Sequence, residues 1–237
     1  MEEGVVQAMT VLAYRTLAYV GLTSIFGSLI WGFRFDGEAP ASNYAWNLGL
    51  YAAFIAPHLI LTRSWLKAAL WGNPAGHPKE RRVYIVITVL TWFAVLWFHR
   101  PLPGISLNSP EWVRFVGLCL LLIAVLHFFQ GVSFAMIDGL LGVPGSASAY
   151  SHGPNTPLFS EGPYSGVRHP MYRAALMACA ASWIVHPDTS QLFWTVLISG
   201  SFVSFIPVEE AQMIRARGDD YRAYQRATPW RLLRGIW

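Results

Sequence analysis

Apolar residues recur along this chain in six runs, and the lengths of those runs constrain its fold more than any motif does. They cover about residues 5–33, 44–61, 83–98, 112–130, 174–185 and 192–208. A helix of roughly 17–25 apolar residues crosses the hydrocarbon core of a bilayer. The fifth run is short for that and is expected to tilt or to start in the interface. Turn signals separate the runs: Asp36, Gly37 and Pro40 after the first, and Pro101-Leu102-Pro103-Gly104 after the third. Only 13% of the residues are charged and 54% are hydrophobic, whereas a soluble domain carries about 25% charged residues. Such a chain could not cover a soluble core with polar groups, so lipid is the solvent for much of it. The pattern predicts an all-α polytopic transmembrane helix bundle of about six spans. It is read as a single domain over residues 1–237, with an N-terminal four-span half at 1–130 and a C-terminal half at 131–237. Residues 131–173, rich in Gly, Pro and Ser, cannot form one helix.

Charge then orients the bundle. The net charge of +4 is modest, and most basic residues sit in two places, which speaks for topology and against nucleic-acid binding. Arg63, Lys67, Lys79, Arg81 and Arg82 lie between the second and third runs. Arg215, Arg217, Arg222, Arg226, Arg231 and Arg234 follow the last one. Alternating spans put both basic regions, residues 131–173 and both termini on one side, expected to be the cytoplasm of a bacterial inner membrane. Arg15, inside the first run, must pair or snorkel. The start Met1-Glu2-Glu3 has the wrong charge for a secretory signal peptide, so the first run is expected to be retained. Cys119 and Cys179 lie within apolar runs, and neither a disulfide framework nor a metal site is expected from them.

Two clusters carry the chemistry. The first is Gly162-Pro163-Tyr164-Ser165-Gly166-Val167-Arg168-His169-Pro170-Met171-Tyr172. Gly-Pro makes a turn, His169 is biased to an extended backbone by the following proline, and Pro170 suits the first turn of a helix. His169 is therefore expected at a helix N-terminus near the membrane surface, where free N–H groups favour anions. The bland alternative is that Arg168 and His169 only anchor a helix. The second cluster is Glu209-Glu210, directly after an apolar run, followed by Gly218-Asp219-Asp220-Tyr221-Arg222-Ala223-Tyr224. Paired carboxylates at the end of a membrane span are costly to bury. They could pair with Arg168, bind a cationic ligand, or simply end a solvated helix.

Taken together, the order Gly-Pro-Tyr-x-x-x-Arg-His-Pro-x-Tyr, an apolar hairpin, Glu-Glu, and Gly-x-x-Tyr-x-x-Tyr resembles the isoprenylcysteine carboxyl methyltransferase superfamily of membrane-embedded enzymes that use S-adenosylmethionine. Upstream, Phe54-Ile55-Ala56-Pro57-His58, Glu80-Arg81-Arg82-Val83-Tyr84, Pro101-Leu102-Pro103-Gly104 and Gly139-Leu140-Leu141-Gly142-Val143 are similar in order to the NnrU-like membrane proteins and the bacterial methanethiol S-methyltransferases. The resemblance implies a cofactor site lined by Thr156, Pro157, Leu158, Phe159, Tyr164, His169, Pro170, Met171, Tyr172, Glu209 and Glu210. Carboxylates suit the cofactor's ammonium, and Arg168 or a helix N-terminus suits its carboxylate. Prenyl-protein members carry an arginine shortly before the Glu pair, where this chain has Phe205-Ile206-Pro207-Val208, which argues against a prenylcysteine carboxylate as acceptor. The chain also departs from the pattern at Arg173-Ala174 and at Thr228-Pro229-Trp230-Arg231.

The implied reaction is methyl transfer to a small or lipophilic acceptor reached from the membrane, with a thiol the best reading. His169, assisted by Arg168, or His58 in the second span would take the thiol proton; His127 and His186 are weaker candidates. Besides the acceptor, only membrane lipid is expected as a partner, with no nucleic acid and no metal. A haem-dependent isomerase using His58, His152 or His169 as axial ligands is the rival class. A prenylcysteine or lipid carboxyl methyltransferase, a reductase using NADPH and a non-enzymatic membrane subunit are the others.

Overall fold

The computed structural model describes residues 2–72, 79–131, 137–144 and 158–237. Among them it is all-helical: α1 (Glu2–Trp31), α2 (Ser42–Leu61), α3 (Ser64–Trp71), α4 (Glu80–Phe98), α5 (Glu111–Gly131), α6 (Ile137–Leu141), α7 (Pro163–Gly166), α8 (Pro170–Val185), α9 (Thr189–Arg217) and α10 (Asp219–Ala227). Five of them, α1, α2, α4, α5 and α9, are long and apolar enough to cross a membrane. Their large apolar side chains point outward to a degree no soluble bundle tolerates: Leu118, Leu122, Ile123 and Leu126 of α5 are all exposed. The chain is an integral membrane protein, a polytopic helical bundle.

The short fifth run is α8. Its 16 residues rise about 24 Å at 1.5 Å per residue, less than the lipid-facing helices. It compensates by lying inside, packed along α5 and against α9. Its buried face repeats Ala174, Ala178, Ala181, Ser182 and Val185, the small-residue surface that lets helices in lipid approach closely. α5 answers with Gly117: a Cβ there would meet Val185 Cγ2 at 2.9 Å and Ile184 Cγ2 at 3.0 Å.

The turns meet at two ends. At one end the loops between α1 and α2, α4 and α5, and α8 and α9 bond to one another. Phe35 bridges Leu102, and Ser106 bridges Asp188. The proline-broken stretch after α4 cannot bond to itself, so asparagines on α2 satisfy it. Asn43 Nδ2 donates to the Pro101 carbonyl at 2.8 Å, and Asn47 exchanges bonds with the Arg100 backbone at 2.7 and 3.0 Å. His99 is buried here beside Phe33 and Tyr51, and burial pulls its pKa down to about 4. Asp188 caps α9 by accepting from the Gln191 N–H at 2.8 Å.

Both basic regions, and the amino-terminal part of α1, lie at the other end. Arg15 pairs there with Asp138 of α6 at 2.9 Å. α6 is held between α1 and α4: Tyr14 donates to the Leu141 carbonyl and Arg81 Nε to the Leu140 carbonyl, each at 2.5 Å. Gly142 then turns with φ +72°, and any side chain at that position would press on Arg81. Lys67 of α3 pairs with Glu80 of α4.

Candidate functional site

The Arg-His-Pro segment is shaped by the chain on both sides of it. Gly162 takes φ +58°, α7 begins with Pro163, and Val167 is extended. From there the backbone runs beside the carboxy-terminal stretch. The Arg168 N–H donates to the Trp230 carbonyl at 2.8 Å, and the His169 N–H to the Arg231 carbonyl at 2.9 Å. His169 is the N-cap of α8 and Pro170 its first residue, the geometry that an X-Pro step at a helix start favours.

These bonds bring the side chains of 168 and 169 to one carboxylate. Glu210 Oε1 accepts from Arg168 Nε at 2.7 Å and lies 3.2 Å from His169 Nε2. Its other oxygen, Oε2, accepts from Arg231 Nε at 3.1 Å and from Gln225 Nε2 at 3.5 Å. Arg168 Nη1 also donates to the Thr228 carbonyl at 2.7 Å. The side chains of Arg168 and Glu210 are only 7% and 4% exposed, so this ion pair is desolvated and holds only because further bonds satisfy it.

Glu209, one residue earlier on α9, turns about 100° away around the helix and meets other groups. Tyr172 lies within electrostatic reach of the Glu209 carboxylate. The Tyr172 ring stacks on His169 with centroids 5.5 Å apart and planes at 16°. Glu209 Oε2 lies 3.8 Å from His169 Nδ1 and is buried without a hydrogen-bond partner. Three residues before Glu210, Pro207 stands inside α9, where its ring removes one backbone bond of the helix just upstream of the carboxylates.

The structure places the other sequence-predicted residues as follows. Tyr164 is half-buried against Phe159, with ring centroids 5.9 Å apart. Its carbonyl accepts from Tyr224 at 2.8 Å, and its hydroxyl donates to the Gly131 carbonyl at 3.4 Å. Burial holds the Tyr221 and Tyr224 hydroxyls well above their ordinary pKa, so they act as neutral hydrogen-bonding groups. Leu158 is half-buried, and Met171 packs on the core between α1, α4 and α6. Thr156, Pro157 and His152 lie outside the described residues.

His58 sits apart from the carboxylate centre, with both ring nitrogens engaged. Nδ1 is 2.6 Å from the Phe54 carbonyl, and Nε2 is 3.0 Å from Thr88 Oγ1. His127 faces Arg173, 2.5 Å from Nη2, and His186 Nε2 bonds the Ile30 carbonyl at 2.5 Å. Neither reaches the carboxylates.

Four participants are missed from the sequence: Thr228, Arg231, Gln225 and Tyr84. Arg231 reads there as part of the basic tail and of a departure from the family pattern, not as a partner of Glu210. Tyr84 lies within electrostatic reach of Glu209 and Tyr172, has its ring 5.3 Å from His58, and lies under Arg81 at 5.1 Å. It joins the amino-terminal half to the site.

Over 200 residues, 78% of this chain, the sequence is 28% identical to Methanethiol S-methyltransferase 1 of Bradyrhizobium diazoefficiens. The chain spans 66% of that protein's length, just short of two thirds. No family model matches the chain, and no solved structure does. The relative lies in the branch to which the motifs point, the methanethiol S-methyltransferases.

Proposed function

We propose that this chain is an S-adenosylmethionine-dependent membrane methyltransferase acting on a small thiol of the methanethiol kind. The observation that carries the reading is the divided use of two adjacent carboxylates. Glu210 is taken up by the protein's own donors, whereas Glu209 keeps a buried oxygen without one. A buried acceptor left unpaired costs about 1–3 kcal/mol, and an ammonium group of a ligand removes that cost. The donor set fits the cofactor: Glu209 for its ammonium, the aromatic surface of Phe159 and Tyr164 for a nucleobase, and the half-exposed Arg231 for its carboxylate. Bound there, the cofactor supplies an electrophilic methyl group on a positively charged sulfur.

The chain's own residues position the partners and handle one proton. Turning a thiol into a methyl thioether releases a proton, and the thiolate is the competent nucleophile. His169 lies within 3.2 Å of Glu210 and 3.8 Å of Glu209 and receives that proton. The Arg168–Glu210–Arg231 network holds His169 rigid for this role. His58, bonded at both nitrogens, serves the packing of α2 on α4. The same occupancy favours the thiol methyltransferase over a haem protein with His58 as axial ligand. Phe205-Ile206-Pro207-Val208 stand before the Glu pair, where prenyl-protein members carry an arginine, which argues against a prenylcysteine carboxylate as acceptor. The excess of Lys and Arg at the site's end supports a topology with that end and both termini in the cytoplasm of a bacterial inner membrane, where the water-soluble cofactor would meet an acceptor arriving through lipid.

The test is a transfer assay with methyl-labelled cofactor and a panel of thiols, carboxylic acids and prenylated peptides. Label in dimethyl sulfide from methanethiol supports the reading. Label only in a carboxyl ester, or in no product, overturns it.

A further inference from the structure

A second site lies one turn past the carboxylates, at the corner between α2 and α3. α2 ends at Leu61, Arg63 makes the corner with an extended backbone, and α3 begins at Ser64. Gln212 of α9 donates from Nε2 to the Thr62 carbonyl at 3.2 Å, which fixes the corner against α9. Between them is an open recess of about 560 Å³ lined by Arg63, Ser64, Trp65, Gln212 and Arg215.

Two independent features of this recess call for an anion. Among the described residues, neither the Arg63 nor the Arg215 guanidinium pairs with a carboxylate. The first turn of α3 has no side-chain cap, so its free N–H groups stand at the rim beside the Ser64 hydroxyl. Arg63 is half-buried, yet nothing among the described residues neutralises it. The surroundings specify which anion. α3 follows directly on a membrane span, and its Trp65 and Leu70 are 64% and 53% exposed. An indole beside basic residues at the end of a span is the signature of the head-group layer.

We infer that this recess is a binding site for the phosphodiester of an anionic phospholipid, with Arg63 and Arg215 on the phosphate and Trp65 along the upper acyl chains. The site is separate from the proposed cofactor site: none of its lining residues belongs to the Arg168–His169–Glu210 network. Lipid bound there would bridge α3 to the end of α9.

Native mass spectrometry of the detergent-purified full chain tests this, with phosphatidylglycerol, phosphatidylcholine and inorganic phosphate as probes. At about a fivefold effect per arginine near an anionic surface, phosphatidylglycerol is expected to bind roughly thirtyfold better than phosphatidylcholine. The Arg63→Gln/Arg215→Gln variant should lose that preference, Arg63→Lys/Arg215→Lys should keep most of it, and Arg226→Gln, at an exposed position of α10, should leave it unchanged. Equal binding of the two lipids, or full preference in the double glutamine variant, overturns the assignment. Inorganic phosphate that displaces phosphatidylglycerol at equal concentration would overturn it as well, by making the recess a site for free phosphate.

Discussion

Arg168 and Glu210, 42 residues apart in the chain, share a 2.7 Å hydrogen bond that almost no solvent reaches. The bond closes the amino-terminal end of α8 onto α9, and with Arg231 it draws in the carboxy-terminal tail. Glu210→Gln leaves two guanidinium groups facing a neutral amide, one of them buried. Breaking a buried pair by removing one partner costs about 3–5 kcal/mol. Thermal unfolding in detergent should therefore fall sharply for Glu210→Gln, and less for Glu210→Asp, which keeps the charge. An unchanged midpoint in both would show that the network does not hold the site together.

His58 separates packing from chemistry. Its two ring nitrogens are bonded to the Phe54 carbonyl and the Thr88 hydroxyl, so His58→Ala removes two hydrogen bonds, each worth about 0.5–1.5 kcal/mol. The expected outcome is lower stability with an unchanged pH profile of turnover. A lost alkaline or acidic limb in that profile would make His58 a proton carrier.

His99 gives the far end of the bundle a pH dependence. Burial lowers its pKa from an ordinary 6.5 to about 4. The folded chain then binds fewer protons than the unfolded one between those values, so stability rises with pH across that window and is complete above it. As pH falls from 6.5 towards 4, up to about 3 kcal/mol is lost at 1.36 kcal/mol per unit. Unfolding midpoints of the wild type should drop over that range, and those of His99→Gln should drop less. Parallel curves would contradict the burial of a neutral imidazole.

The bundle was largely legible because its signal is local. Each apolar run is a continuous stretch, and the short run at residues 174–185 lies within the 16-residue α8. The start of α8 was legible for the same reason, since Pro170 constrains its neighbour His169 directly. The division of labour between Glu209 and Glu210 was not. It depends on which side of α9 each carboxylate faces and on donors from Arg168, Gln225 and Arg231, brought together by backbone bonds between residues 168–169 and 230–231. Nothing in the spacing of those residues encodes that meeting. Tyr84 was hidden differently: it sits inside an apolar run, where a tyrosine reads as packing, and only the fold sets it near Glu209.

The most direct test is equilibrium binding of S-adenosylmethionine to the purified protein and to two neighbouring variants. The wild type is expected to bind. Glu209→Gln should weaken binding by about 10–100-fold, the range for losing a charge-assisted hydrogen bond, while its unfolding midpoint stays close to that of the wild type. Arg226→Gln, at an exposed position of α10, should change neither. No binding to the wild type, or equal binding to wild type and Glu209→Gln, would contradict the assignment of Glu209 as the cofactor's acidic partner.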